Sequence, residues 1–196
     1  MTGSEASRQA ILANAVKLAT VDGLDGLSIG NLASSLGMSK SGLYAHFGSK
    51  EELQLATVET AYAGFRTDVV DVARAAEPGV PRLMAFVGAF FEQLRGDDLP
   101  GGCFIAGAAL EMSAKPGRVK EQIVLFQNEF VSLIEEYLAE AVEHGDLRKD
   151  VDVPAFAFEV HGILLAANSA YALSGDHTRL DFANGLISRR LDELAA

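Results

Sequence analysis

The segment at residues 28–50, SIGNLASSLGMSKSGLYAHFGSK, constrains the fold of this chain more than any other. Gly37 lies in its middle, and apolar residues recur at helical spacing on both sides: Ile29, Leu32, Ala33, Leu36, Met38, Leu43 and Phe47. Glycine tolerates the positive φ that ends a helix sharply, and Ser39 can cap the helix that follows. Two short helices joined in this way predict a helix-turn-helix, whose second helix enters the major groove of DNA.

The second of these helices carries polar side chains between its apolar positions. Its outward positions are Lys40, Ser41, Gly42, Tyr44, Ala45 and His46. An ammonium, a hydroxyl, a phenol and an imidazole on one small surface can bind phosphate oxygens and base edges. This face is therefore the predicted DNA-reading surface.

Residues 11–53 resemble the N-terminal domain of TetR-family transcriptional regulators, most specifically in the run LYAHFGSKEEL. The resemblance implies that Tyr44 and Lys50 contact phosphate. Together with the capping serines, the candidate DNA contacts are Ser28, Ser39, Lys40, Ser41, Gly42, Tyr44, His46 and Lys50. The chain departs from the family pattern at Gly30, where members often carry a polar or basic side chain that contacts a base, and at Ala45, where a larger residue is frequent. Few direct base contacts are therefore expected, from Lys40 and Ser41, with DNA shape or water supplying the rest of the specificity.

The rest of the chain predicts helices and short connectors, giving an all-α fold of about nine helices. Apolar spacing, caps and Gly or Pro breaks place the remaining helices at about residues 7–22, 49–77, 81–94, 103–114, 119–144, 154–173 and 178–194. The helix from Ser49 is expected to run unbroken to Glu77. A DNA-binding domain is predicted at residues 1–50, and a ligand-binding and dimerisation domain at residues 51–196.

Charge is distributed unevenly over the 196 residues. The chain has a net charge of −11, yet residues 1–50 contain four basic and three acidic residues. The acidic excess thus lies outside the predicted DNA-binding domain. Because a charge of +1 releases few counterions, tight binding is expected to need two copies of the domain. One cysteine and the absence of a basic, apolar N-terminal leader indicate a cytoplasmic protein.

The helix at residues 154–173 is apolar nearly all round. A membrane span would require such a stretch, but Glu159, His161 and Asn168 interrupt this one, so burial in protein is preferred. Ala166, Ala167, Ser169 and Ala170 are small enough for a second helix to approach closely. The resemblance assigns the helices at about 153–174 and 178–194 to a homodimer.

The resemblance also implies a small, largely apolar effector bound among the C-terminal helices. Large apolar side chains and three polar residues in the middle of helices are the candidates for that site: Phe86, Phe90, Cys103, Met112, Phe126, Asn128, Phe130, His161 and Asn168. Most of the aromatic residues are expected to fill the core, and the sequence does not separate the two groups. Ligand binding is expected to tilt the helix that begins at Ser49 and so to lower DNA affinity.

Three apparent chemical motifs favour simpler interpretations. Gly26-Leu27-Ser28-Ile29-Gly30 matches a nucleophile elbow, but no strand precedes it, and Ser28 suits a helix cap. The four histidines lack metal-ligand spacing, so no metal site is expected. The C-terminal part carries no recognisable catalytic set, so no cofactor is expected and no enzyme activity is predicted. Cys103 follows two glycines at a helix start, where a thiol can become reactive, although a small buried apolar residue is the simpler interpretation.

The sequence thus predicts a ligand-responsive homodimeric repressor that binds a palindromic operator. Two alternatives remain open. One is a redox-responsive regulator that works through Cys103. The other is a helical protein that binds small molecules and does not contact DNA.

Overall fold

The computed structural model describes the backbone of residues 3–196 and the side chains from Ser7 onward. Over that range the fold is all-α, as predicted, with no strand and one isolated antiparallel bridge between Leu147 and Ala195. The described helices are α1 (Gly3–Asp22), α2 (Ile29–Leu36), α3 (Lys40–Phe47), α4 (Lys50–Phe65, with its extension), α5 (Val80–Arg95), α6 (Phe104–Met112), α7 (Arg118–His144), α8 (Val153–Ser174) and α9 (Thr178–Glu193). Their order and approximate limits match the sequence prediction.

Helix α4 differs from the uniform helix that the sequence predicted. It passes at Phe65 into a π-helical turn, Arg66–Val70, and then into one last α turn, Asp71–Arg74. The Asp71 N–H donates to the Arg66 carbonyl oxygen five residues back, so the hydrogen-bond register is shifted there. Gly64 lies just before this shift, but the sequence predicted no break there. The helical segment is continuous but irregular, and it ends three residues before Glu77.

The chain divides into two compact units, and each has its own apolar core. The first unit contains the chain up to Gly64 and also Asp98–Gln127, so α6 and the start of α7 belong with the helix-turn-helix. Its core extends from Ile11 to Ile123 and includes Leu32, Leu43 and Phe47. The division into functional domains near residue 50 is a separate matter and stays a prediction.

The second unit contains Phe65–Asp97 and Asn128–Ala196. Helix α5 buries one face of large side chains, made of Leu83, Phe86, Val87, Phe90, Phe91 and Leu94. Arg82 on α5 forms a half-buried ion pair with Glu140 on α7 at 2.6 Å. The bulkiest fully buried side chains of this unit are aromatic: Phe86, Phe90, Phe91 and Tyr137.

Helix α8 is long and apolar enough to cross a membrane by length and composition, and a third of its most apolar window is buried. Its buried residues are Phe156, Ala157, Val160, Leu164, Ala167 and Asn168. The opposite side leaves Phe158, Leu165 and Leu173 exposed. The helix therefore has one face in the core of its own unit and one apolar face that the described residues leave uncovered.

Candidate nucleic-acid interface

Local capping interactions define both helices of the helix-turn-helix. Ser28 has extended backbone angles and accepts a hydrogen bond from the Asn31 amide at 3.1 Å, which starts α2. Gly37 ends α2 with a φ of 63°, a conformation that strongly favours glycine. Ser39 then accepts a hydrogen bond from the Gly42 amide at 3.1 Å and starts α3. The predicted caps and turn are present, and Ser28 is a cap that follows a loop rather than a strand.

Helix α3 packs against the core by one side and presents polar side chains on the other. Leu43 and Phe47 are buried in the core of the first unit, and they hold the helix by one side. Lys40, Ser41 and Tyr44 are exposed on the other side, while Gly42 and His46 are half-buried. The side chain of Tyr44 is 57% exposed although it is a large ring. An exposed phenol beside a lysine and a serine can donate to phosphate oxygens and to base edges.

The environment of Lys50 was not predicted. Its ammonium donates to the Asp25 backbone carbonyl at 2.5 Å and lies 3.4 Å from the Asp25 carboxylate. The Lys115 ammonium lies 2.9 Å from the other oxygen of that carboxylate. The hydrogen bond from Lys115 and the nearby charge of Lys50 lower the pKa of Asp25. Asp25 is thus a positioning partner for Lys50, and its only sequence signal is the short loop DGLDGLS.

Arg8 is a second residue that sequence reasoning missed. Its guanidinium carbon lies 5.3 Å from the centre of the Phe47 ring at the end of α3. Such a cation–π contact keeps a positive charge next to the helix that carries Lys40 and Tyr44. Its signal in the sequence, an isolated arginine in a polar N-terminus, was too weak to use.

The candidate effector residues fall into the two units. Six of them lie in the second unit: Phe86, Phe90, Asn128, Phe130, His161 and Asn168. Phe130 is at the centre, with ring centroids 5.3 Å from Phe86, 5.8 Å from Phe90 and 5.5 Å from His161. Asn168 is buried on α8, whereas Asn128 is exposed. Burial lowers the pKa of His161, which favours the neutral imidazole at pH 7.

The other three candidates, Cys103, Met112 and Phe126, belong to the first unit. Phe126 stacks on Tyr62 at 3.8 Å between ring centroids, and Met112 is a core residue. Cys103 lines a cavity of about 300 Å³ between the end of α1 and α6. Burial raises the pKa of its thiol, which disfavours the reactive thiolate. Among the described residues, no group of His, Cys, Asp and Glu could hold a metal ion.

Two family models match the chain. The model described as "Bacterial regulatory proteins, tetR family" matches residues 11–57, which include the helix-turn-helix. The model described as "Tetracyclin repressor-like, C-terminal domain" matches residues 79–185, more than half of the chain. The two matches cover most of both compact units.

Individual proteins agree with the family models. The HTH-type transcriptional repressor DhaR of Mycobacterium sp. (strain GP1) is 23% identical over 145 residues, which are 74% of this chain and 71% of that protein. A TetR transcriptional regulator from Chloroflexus aurantiacus superposes with a TM-score of 0.90 at 24% identity over 100% of this chain and 98% of its own. AibR, solved with isovaleryl coenzyme A and operator DNA, gives a TM-score of 0.75 at 25% identity over 93% of this chain and 96% of its own.

Proposed function

Because this chain belongs to the TetR family of DNA-binding transcriptional regulators, we propose that it is a ligand-responsive repressor that binds a palindromic operator as a homodimer. The main support for the proposal is the exposed surface of α3. Lys40, Ser41 and Tyr44 are exposed there, on a helix whose Leu43 and Phe47 are buried in the core. A repressor is favoured because the relative DhaR is a repressor. A DNA target implies a cytoplasmic location.

The uncovered face of α8 supports the homodimer. Phe158, Gly162, Leu165, Ser169 and Leu173 follow one another at steps of three or four residues and are all exposed. They form one stripe without a charged side chain, and Phe182 on α9 is 67% exposed as well. A continuous exposed apolar stripe is typical of a surface that another protein covers. A second copy of the chain would bring two α3 helices to successive major grooves, about 34 Å apart.

The small side chains of α8 divide between its two faces. Ala166 and Ser169 are exposed and suit a close helix approach in the dimer. Ala167 is only 4% exposed and packs inside its own unit. Ala167 therefore belongs to the core, and it reports on folding rather than on dimerisation.

The aromatic cluster around Phe130 supports a small, largely apolar effector. Phe86, Phe90 and Phe130 form a packed apolar cluster, and the half-buried imidazole of His161, whose neutral form is favoured, provides a polar group beside it. AibR, whose fold this chain shares, binds isovaleryl coenzyme A, which contains a short branched acyl group. An effector lowers DNA affinity only if it binds the two conformations of the protein with different affinities.

The redox alternative has less support. The pKa of Cys103 is raised, and the chain contains no second cysteine that could resolve an oxidised thiol. The effector mechanism requires neither a thiolate nor a second thiol. Effector-controlled DNA binding is therefore the function that we propose.

A DNA-binding measurement tests the proposal. Fluorescence anisotropy would compare a labelled duplex from upstream of the chain's own gene with a random duplex of equal length. We expect at least a thousandfold preference for a palindromic segment, the usual order for specific sites, and a steep loss of affinity with salt. Equal, weak affinity for both duplexes would favour the helical protein that does not contact DNA. Isovaleryl coenzyme A, with coenzyme A as its control, is the first effector probe.

A further inference from the structure

Helix α6 reaches the loop between α1 and α2 through one carboxylate. Glu111 accepts hydrogen bonds from two consecutive backbone amides, Leu24 and Asp25, each at 2.7 Å and each with a different carboxylate oxygen. Both partners lie more than eighty residues away along the chain, yet all three belong to the first unit. Two successive amides that point at one anion form a binding concavity, and here the anion is a side chain of α6.

The loop is shaped to fit this carboxylate. Gly23 has a φ of +80°, and a Cβ at that position would lie 3.0 Å from one oxygen of Glu111 and 3.1 Å from the other. A larger residue would therefore be strained by its backbone and would also crowd the carboxylate. Leu24, the next residue, is 1% exposed, and its carbonyl accepts from the buried Gln54 side chain at 2.7 Å. The carboxylate thus binds a loop that is otherwise anchored in the core.

The same loop holds Lys50, the candidate phosphate contact. The backbone of Asp25 links Glu111 to Lys50, because Glu111 accepts from the Asp25 N–H while Lys50 donates to the Asp25 carbonyl oxygen. Lys115, three residues after α6 ends, lies 2.9 Å from the Asp25 carboxylate. The ammonium of Lys50 therefore has a fixed position only while the loop does. Two contacts from the segment around α6 fix that loop.

We propose that Glu111 is a positioning residue for DNA binding, through which α6 sets the place of the Lys50 ammonium at the start of α4. The assignment rests on the proposed operator binding and deepens it. A movement of α6 that withdraws the carboxylate removes the acceptor of the Leu24 and Asp25 amides and loosens the loop at Asp25, while Leu24 stays buried in the core. Lys50 is then no longer held where it meets a phosphate, so one phosphate contact is lost and affinity for all DNA sequences falls.

The substitution Glu111→Gln tests the assignment. A glutamine offers one acceptor oxygen, and its amide group presents a donor to the second backbone N–H. We expect operator affinity to fall about tenfold, the order of one charge-assisted hydrogen bond. Lys50→Ala should cause a similar decrease. In both variants the slope of log affinity against log salt should become shallower by about one, because the Lys50 ammonium no longer neutralises a phosphate.

A matched control separates positioning from charge. Glu121→Gln removes the same charge from an exposed position on α7, so it should raise operator affinity slightly or leave it unchanged. The double variant Glu111→Gln, Lys50→Ala should bind as Lys50→Ala does, because both substitutions act through one ammonium. An equal decrease from Glu111→Gln in the wild-type and Lys50→Ala backgrounds would overturn the assignment. So would wild-type affinity and salt slope in Glu111→Gln.

A second variant covers the case in which Glu111→Gln does not fold. Glu111→Asp keeps the charge and shortens the side chain by one methylene, so the loop should loosen while the core remains intact. It should show the same decrease in affinity and the same smaller salt slope, and a wild-type slope would overturn the assignment. If wild-type protein binds no operator, the proposed function fails. If wild-type protein binds and Lys50→Ala weakens binding, only the role of Glu111 is at issue.

Discussion

Helices α3 and α8 each bury one side in a core, but α3 exposes polar side chains and α8 exposes apolar ones. Helix α3 buries Leu43 and Phe47 and presents Lys40, Ser41 and Tyr44. Helix α8 buries six residues and presents Phe158, Leu165 and Leu173. The exposed face of a helix has to be complementary to the surface that it binds. Phosphate groups are bound by polar and positively charged side chains, whereas an apolar helix face is bound by another apolar surface. The proposed partner of each helix therefore follows from its exposed side, because the buried sides of both helices are similarly apolar.

The largest expected effect comes from a charge on the apolar face. Phe158→Glu should leave the fold intact, because Phe158 is 76% exposed, but it should split the dimer and lower operator affinity more than a hundredfold. Sedimentation and thermal unfolding would be measured together. Ala167→Glu is the matched comparison: it introduces the same charge on the buried side of the same helix and should unfold the protein. A Phe158→Glu variant that stays dimeric at micromolar concentration would show that α8 is not the interface.

The next effect concerns the polar face and separates two kinds of lysine. Lys40→Ala should lower affinity and relax preference at one base pair, by about 1–3 kcal/mol. Lys50→Ala should weaken binding to all DNA sequences by the same factor, since a phosphate contact carries no sequence information. Binding to the operator and to its single-base variants would be measured for each protein. Unchanged sequence preference in Lys40→Ala would remove Lys40 from base contact.

Helix α4 and its π-helical turn connect the first compact unit to the second along the chain. Insertion of Gly-Gly after Arg66, an exposed residue in that turn, should keep both effector affinity and operator affinity near wild type. It should abolish effector-induced DNA release, which corresponds to a coupling free energy of about 1–3 kcal/mol, the usual range for allosteric proteins. Operator titrations with and without effector would measure the coupling. An inserted variant that still releases DNA as wild type does would exclude α4 as the connection.

The smallest expected effect is on stability and tests whether α2 requires a glycine at position 30. Gly30 lies in the first turn of α2, and an added Cβ would meet Ser28 at 3.8 Å and Lys40 at 4.0 Å, both ordinary contacts. Gly30→Ala should therefore stabilise the fold by about 0.5–1 kcal/mol through helix propensity. Denaturant unfolding would measure the change. Destabilisation would mean that the glycine is needed for close approach at this surface.

The sequence by itself determined the elements that depend on near neighbours. The caps at Ser28 and Ser39, the turn at Gly37 and the order of the helices follow from residues within four positions of each other, since capping and helical periodicity are local. The DNA-binding run was predicted for the same reason, because all of its candidate residues lie within one short segment of chain.

Only the tertiary structure decided which distant residues meet. Glu111 and Asp25 are 86 positions apart, and no local pattern pairs them. The same holds for the shared unit of α6 and the helix-turn-helix, and for the division of the effector candidates between two cores. The placement of Ala167 inside its unit and of Phe158 outside it also depends on packing, because α8 is apolar on both sides. Periodicity cannot orient a helix that has no polar face, and packing against its neighbours fixes that orientation instead.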